Sequence, residues 1–160
     1  MIDFSLNAEQ IELIEYVREL VDNLVIPHAA EMDARGNEGF DWKFVQLLAE
    51  QNLLAPQIPK EFGGRELDFL TTALLIEEIA RGCAGMAACM VGEIHATIPL
   101  ILGGSKNLKS KTLPALVDQQ AALAAFALTE PKGGSDVKNL QTTFNHANGE
   151  VTVNGIKDYS

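Results

Sequence analysis

The chain has 160 residues, of which 47% are hydrophobic and 21% are charged, a composition typical of a globular protein. Its formal net charge of −10 argues against binding to nucleic acid or to an anionic membrane surface. The opening residues carry no basic cluster, so we predict neither a secretory signal nor a transit peptide and expect a cytoplasmic location.

The first predicted helix has a clear start. Asn7 is a candidate N-cap, and Gln10 stands three residues later, which is the spacing of a capping box. Apolar residues then recur with helical period until Pro27, where we expect the helix to end or kink. A second helix is predicted to begin at Asp41.

The next helices are predicted at 68–81 and 84–102, and Ser105 opens a shorter one. The long apolar stretch 83–102 contains Glu93, and a carboxylate near the middle of a membrane span is costly. We therefore interpret this stretch as a buried helix, with no membrane as partner. Its two cysteines, Cys83 and Cys89, point in different directions on a helix and are expected to be reduced.

Charged groups on these helices give few candidates for chemistry. Glu77, Glu78 and Arg81 have the spacing of a solvated helix face with intrahelical ion pairs. His28, Glu31 and Asp33 do not share a helical face with a second set of ligands, so we assign no metal site. No carboxylate shows a reason for a raised pKa, and we nominate none as a catalytic base.

The residue pattern changes near position 122. A short apolar run at 124–128 predicts a strand, and the stretches 142–146 and 150–154 are joined by an Asn-Gly turn that predicts a β-hairpin. We predict a helical domain over 1–122 and the beginning of an incomplete β-domain over 123–160. An isolated hairpin is marginal in water, so more strands are expected to follow.

The segment 126–136, Phe-Ala-Leu-Thr-Glu-Pro-Lys-Gly-Gly-Ser-Asp, is the most informative in the chain. Its glycines allow a ligand close to the backbone amides, and Thr129 and Ser135 add hydroxyl groups. Such a turn suits a polar ring edge or a diphosphate. From the residues alone, an ordinary solvated turn is the more common interpretation.

The same segment resembles the signature of the acyl-CoA dehydrogenase family, in which Thr-Glu-Pro precedes a small-residue turn and Ser-Asp. Three further stretches are similar to family motifs in the same order, namely 53–64, 77–81 and 153–157. The family turn is commonly Gly-Ala-Gly-Ser, whereas this chain has Lys132-Gly133-Gly134-Ser135. The resemblance extends over essentially the whole chain.

The resemblance implies a mainly α fold: an acyl-CoA dehydrogenase-like amino-terminal helical bundle followed by the first strands of a truncated β-barrel domain. It implies FAD as cofactor and α,β-dehydrogenation of an acyl-CoA thioester, with α-proton abstraction and β-hydride transfer to flavin N5. The implied cofactor contacts are Phe126, Ala127, Leu128, Thr129, Gly134, Ser135 and Tyr159. Ser135 and Met90 are the implied substrate contacts, and for Met90 a plain core position is an equal alternative.

The resemblance also implies binding partners, and other functions remain as alternatives. The expected partners are the acyl-CoA substrate, an electron-transferring flavoprotein, and further copies in a homotetramer or homodimer. The family's base comes from a carboxy-terminal domain, so we expect this chain to be an inactive fragment that lacks it. The alternatives are an acyl-CoA oxidase, reductase or flavin monooxygenase of the same superfamily, or a cofactor-free helical binding module.

Overall fold

The computed structural model describes residues 5–36, 42–118 and 123–159, and the chain divides into two units, Met1–Ala124 and Ala125–Ser160. The first unit is helical and contains α1 (Ala8–Leu20), α2 (Ile26–Arg35), α3 (Trp42–Glu50), α4 (Phe69–Gly82), α5 (Ala84–Gly103) and α6 (Lys106–Leu116). The second contains the antiparallel strands β1 (Thr143–Ala147) and β2 (Glu150–Asn154). The predicted mainly α fold with a following hairpin is confirmed. Asp41 and residue 122, where a helix start and the domain boundary were predicted, lie outside the described residues.

Helix α1 begins with the predicted capping box. The Asn7 side chain accepts a hydrogen bond from the Gln10 backbone N–H at 2.9 Å, and the Gln10 side chain accepts one from the Asn7 N–H at 3.0 Å. The Gln10 amide then donates to the Thr71 hydroxyl of α4 at 2.9 Å. The same side chain therefore closes the start of α1 and attaches it to a second helix.

Of the two outcomes predicted at Pro27, an end or a kink of the helix, the end is wrong. A π-helical turn, Val21–Val25, follows α1 directly, and Pro27 lies in the first turn of α2. Proline has no backbone N–H, and it fits where the regular α-helical ladder is already interrupted. The helical path therefore continues through the proline to Arg35, and Gly36 follows at a φ of 69°.

The core of the helical unit is contributed mainly by α1, α3, α4, α5 and the π-helical turn. Its buried members are Val17, Leu20, Val21, Val25, Phe44, Val45, Leu48, Ala49, Leu53, Leu54, Leu75, Ile79, Met86, Ala87, Met90 and Ile94. Burial of such side chains is the dominant favourable term in folding. A smaller cluster of Ala55, Ile58, Leu113 and Leu116 lies beside α6.

The crossing between α3 and α4 depends on a close backbone approach at Gly64. A Cβ atom at this position would lie 1.9 Å from the Ile58 carbonyl oxygen. The Arg65 guanidinium spans the same crossing and donates to the carbonyl oxygens of Asn52 at 3.0 Å and Gln51 at 2.8 Å. The irregular path predicted from its prolines and glycines is therefore fixed by backbone contacts.

Helix α5 is long and apolar enough, by length and composition alone, to cross a membrane. Core helices of proteins that lie wholly in water pass the same test, so the property is weak evidence for a membrane span. Six of its residues are buried, including Met90 and Glu93 near the middle.

The second unit contains the predicted hairpin. Its register runs from Thr143 opposite Asn154 to Ala147 opposite Glu150. Asn148 and Gly149 turn the chain at φ of 55° and 80°, as a type I′ turn requires. The strand predicted at 124–128 is not formed: residues 123–129 are assigned to no helix or strand, and within the described residues β1 and β2 pair only with each other.

Candidate functional site

The segment 126–136 is held by residues that follow strand β2. The Lys157 ammonium donates to the carbonyl oxygen of Leu128 at 2.9 Å, and the backbone N–H of Asp158 donates to the carbonyl oxygen of Thr129 at 2.9 Å. Tyr159 comes next in the chain. Two stretches predicted to contact a cofactor are therefore joined through their backbones.

Glu130 is the centre of this arrangement, and it is only 5% exposed. Its carboxylate accepts hydrogen bonds from the Thr142 hydroxyl at 2.6 Å, the Thr142 N–H at 2.9 Å and the Lys157 ammonium at 2.9 Å, and also from the Gln141 N–H. These donors, the Thr142 hydroxyl first, lower the pKa of Glu130 to about 2. The side chain is therefore ionised near neutral pH and unsuited to act as a proton acceptor there.

The sequence does not predict this role of Glu130. The only local signal is an acidic residue at the entrance to the Pro-Lys-Gly-Gly turn. Its partners Thr142 and Lys157 lie 12 and 27 residues further along the chain. No short-range pattern predicts that pairing.

A tight turn follows the anchor. Glu130 and Gly133 exchange backbone hydrogen bonds of 3.2 and 2.9 Å, with Gly133 at a φ of 145° that favours glycine. A Cβ atom on Gly134 would lie 2.7 Å from the Thr129 hydroxyl oxygen. Within residues 123–159, the backbone N–H groups of Gly134 and Ser135 make no hydrogen bond. The turn therefore presents successive donors, an arrangement that suits an anionic or carbonyl-bearing ligand.

The predicted site residues fall into two groups. Phe126, Ala127, Leu128, Thr129, Gly134, Ser135 and Tyr159 all belong to the second unit. Phe126 is 43% exposed and Tyr159 is 98% exposed, whereas Met90 belongs to the helical unit and is fully buried in its core. The contacts of all these residues with a cofactor or substrate stay predictions.

The expectation that no carboxylate has a raised pKa is wrong for Glu93. This residue of α5 is 1% exposed, and burial raises its pKa to about 7, opposed by the hydrogen bond that the Ala124 N–H donates to Oε2 at 2.7 Å. Its other oxygen has no hydrogen-bond partner among the described residues. With no solvent access, Glu93 belongs to the helical core, and we do not assign it to catalysis.

The solvated-face interpretation is also wrong for Glu78. Glu78 is 6% exposed, and its carboxylate accepts from the Arg18 guanidinium of α1 at 3.1 Å and from Arg81 at 2.8 Å. The hydrogen bond from Arg18, followed by that from Arg81, lowers the pKa of Glu78. Arg81 also contacts Asp22 at 2.8 Å. This network joins α1, the π-helical turn and α4, so its role is structural.

His28 and Glu31 form an intrahelical pair with 3.8 Å between Nδ1 and a carboxylate oxygen. Across residues 5–36, 42–118 and 123–159, no group of three or more His, Cys, Asp or Glu side chains is placed to hold a metal ion. Cys83 and Cys89 are free thiols.

The fold and the loop define the class: an amino-terminal helical domain followed by a hairpin unit with a glycine-rich turn. The family model "Acyl-CoA dehydrogenase, N-terminal domain" matches residues 7–120. The chain belongs to the acyl-CoA dehydrogenase family, which confirms the resemblance inferred from its motifs.

A similar relative is the cyclohex-1-ene-1-carbonyl-CoA dehydrogenase of Syntrophus aciditrophicus (strain SB). It is 36% identical over 153 residues, which cover 96% of this chain and 36% of the relative. The chain therefore spans little more than a third of that protein's length.

Several solved structures are similar to this chain over nearly its whole length and likewise extend well beyond it. The FAD complex of PigA matches with a TM-score of 0.86 and 30% identity, covering 98% of this chain and 41% of that one. The prolyl acyl carrier protein oxidase AnaB matches with a TM-score of 0.80 and 31% identity, covering 96% of this chain and 40% of that one. A structure from work on the electron transferring flavoprotein of Acidaminococcus fermentans matches with a TM-score of 0.82 and 26% identity. The match covers 96% of this chain and 40% of that one.

Proposed function

We propose that this chain contributes to an FAD-dependent dehydrogenase of acyl-CoA thioesters. The reaction removes the α-proton of the acyl group, while the β-hydrogen leaves as hydride to flavin N5. Family membership and the relative that acts as an acyl-CoA dehydrogenase support this activity. The structural observation that carries the proposal is the anchored turn at 129–135, whose free backbone amides fit a polar cofactor.

The residues present fit FAD. The N–H groups of Gly134 and Ser135 are free to donate, and Gly134 has no Cβ that could block a ligand from its backbone. The exposed Lys132 supplies a positive charge in the same turn of an otherwise acidic chain. When bound, FAD supplies the hydride acceptor. We propose that this chain's own contribution is to hold the turn rigid through Glu130, so that its donors face the cofactor.

We assign no catalytic base to these 160 residues. Glu130 has a pKa of about 2, and Glu93, with a pKa of about 7, is enclosed in the helical core. A general base must lie within hydrogen-bond reach of the proton that it removes. We therefore propose that the carboxylate base comes from outside this chain and that the chain alone does not turn over substrate.

One alternative has support of its own. The match to the acyl carrier protein oxidase AnaB favours an oxidase of the same fold, in which dioxygen replaces a protein electron acceptor. For the dehydrogenase we propose an electron-transferring flavoprotein as acceptor, consistent with the match to the Acidaminococcus fermentans structure. We further propose a homotetrameric or homodimeric assembly in the cytoplasm.

The test uses the protein in its natural length, purified and loaded with FAD under anaerobic conditions. Acyl-CoA thioesters of different chain length are added, and loss of the oxidised flavin absorbance is followed. Bleaching by an acyl-CoA, with slow reoxidation in air and fast reoxidation by an electron-transferring flavoprotein, supports the dehydrogenase. Fast reoxidation in air favours the oxidase. A protein that binds no FAD, or a flavin that no thioester bleaches, contradicts both.

A further inference from the structure

Lys157 follows strand β2 and holds the chain just before the tight turn at 130–133. Its ammonium group donates one hydrogen bond to the Leu128 carbonyl oxygen and one to a Glu130 carboxylate oxygen, each at 2.9 Å. The Lys157 side chain is 24% exposed. The ammonium therefore uses two of its three donors inside the second unit, at a backbone carbonyl and at a buried carboxylate.

The hydrogen bond to Leu128 sets the direction of a backbone N–H group. A trans peptide is planar, so the carbonyl of Leu128 and the N–H of Thr129 point in opposite directions. Because the carbonyl is turned towards Lys157, the Thr129 N–H is turned away from it. Within residues 123–159, this N–H makes no hydrogen bond.

The next peptide along the chain is held on both of its sides. The Thr129 carbonyl oxygen accepts from the Asp158 N–H at 2.9 Å, and the Glu130 N–H donates to the Gly133 carbonyl oxygen at 3.2 Å. Of the polar groups in these two peptides, only the Thr129 N–H is left without a partner in the described part of the chain. It is therefore held in place as a donor for a ligand.

The charges beside this N–H group offset each other. Glu130 is ionised near neutral pH, because its pKa is lowered to about 2, and its carboxylate is paired with the Lys157 ammonium. The ammonium is therefore not available to neutralise a ligand phosphate. The Thr129 N–H suits an uncharged acceptor, such as a carbonyl oxygen or a nitrogen atom of a ring.

We propose that Lys157 is a positioning residue for the flavin ring of FAD. It holds the Leu128 carbonyl, and through that peptide it directs the Thr129 N–H towards an acceptor on the ring. Lys157 acts through the backbone and needs no contact with the cofactor. The inference rests on the proposed FAD-dependent function and adds to it the residue that orients one donor.

The test uses the protein in its natural length, loaded with FAD. Lys157→Ala removes the ammonium, and we expect FAD to bind about tenfold more weakly or worse, the effect of losing one hydrogen bond from a charged group. At saturating FAD, the flavin absorption bands of the variant are expected to be displaced from those of the wild type, because hydrogen bonds to the ring tune its electronic properties. Lys157→Met keeps the length of the side chain without its donors. The same displacement is expected from it should Lys157→Ala not fold.

Two controls separate the hydrogen bond from a general loss of structure. Lys138→Ala, at an exposed position of the same unit, should change neither the affinity nor the bands. Propylammonium replaces the side-chain atoms that Lys157→Ala lacks, and it is expected to restore both. Tetramethylammonium carries the same charge but has no N–H group, so it should restore neither.

Unchanged bands in both Lys157 variants at saturating FAD would overturn the inference even if binding is weaker, because a purely structural loss lowers the affinity alone. Equal rescue by the two cations would overturn it as well. A wild type that binds no FAD would contradict the proposed function itself. A wild type that binds FAD, with variants that bind it equally well and show the same bands, would contradict only the role of Lys157.

Discussion

At the scale of single residues, Glu93 links the stability of the helical unit to pH. Its pKa rises from 4.5 to about 7 on folding, so the unfolded chain releases this proton before the folded one does. Below about pH 4, Glu93 is protonated in both states and its pKa shift does not change the stability. The shift destabilises the folded state increasingly as the pH rises from there to 7, and the destabilisation reaches its full size above pH 7. The cause is burial of the charged form, which a neutral side chain avoids.

We predict that Glu93→Gln raises the free energy of unfolding, relative to the wild type, by more at pH 8 than at pH 5. The expected gain in the free energy of unfolding between these two pH values is about 2 kcal/mol, from the size of the pKa shift. Urea unfolding at both pH values measures it. Glu77→Gln, on the exposed side of α4, is the control and should show no such difference. An equal effect of Glu93→Gln at both pH values would mean that the carboxyl is not buried as described.

The pKa of Glu130 is shifted in the opposite direction to that of Glu93, so its effect on stability has the opposite dependence on pH. Its lowered pKa means that the carboxylate stabilises the folded unit above about pH 4.5, and this contribution is lost as the pH falls towards 2. In Glu130→Gln, an amide group replaces one carboxylate oxygen and cannot accept from both Gln141 and Thr142. We predict faster amide exchange at Gln141 and Thr142 at pH 6, measured by NMR. Glu150→Gln, at an exposed position of the same hairpin, should leave their exchange unchanged.

At the scale of elements, the crossing between α3 and α4 has no room for a side chain at Gly64. We predict that Gly64→Ala destabilises the protein by about 3 kcal/mol or more, because its Cβ would meet the Ile58 carbonyl oxygen and the backbone must move. Gly92→Ala places the same methyl group in open space on α5 and should be neutral or stabilising. Thermal unfolding of the two variants compares them, and similar melting temperatures would contradict the close approach.

The elements that sequence could predict are those fixed by local rules. Asn7, Asp68 and Ser105 cap helices through the N–H group three residues later, and Asn148-Gly149 closes a two-residue turn. Such signals lie within a few residues of one another. The helix does not end at Pro27, because a preceding π-helical turn accommodates the proline. The strand predicted at 124–128 is not formed, since β1 and β2 pair only with each other within the described residues.

The candidate site was only partly predictable, because only signals within a few residues of one another can be read from the sequence. The turn that contains Thr129 and Gly134 could be recognised from its residues and from the family signature. Its anchor could not, because Glu130 meets Lys157 27 residues away. The ion pair of Glu78 with Arg18 spans 60 residues. Because Glu78 is buried, this pair joins two helices and does not lie on the solvated face that the sequence predicts. Long-range pairing of charged groups leaves no trace in a short window of sequence.

At the scale of the whole molecule, stability is expected to be unequal between the two units. Among its described residues, the helical unit buries a large apolar cluster and a smaller one, whereas every residue of β1 and β2 is exposed, with Phe144 at 77% and Val153 at 68%. Two-stranded hairpins without a packed face are marginal in water. Opening free energies are therefore expected to differ strongly along the chain.

We predict that hairpin amides exchange with solvent much faster than those of Val45 and Ile79 in the helical core, in a hydrogen-exchange experiment followed by NMR. The amides of Gln141 and Thr142, bound to Glu130, should show intermediate protection. Addition of FAD should slow exchange around Gly134 and Ser135 if the proposed turn contacts it. Hairpin protection as strong as that of the core would contradict the exposed state of both strands, and would mean that further strands, from another copy or from a longer chain, cover them.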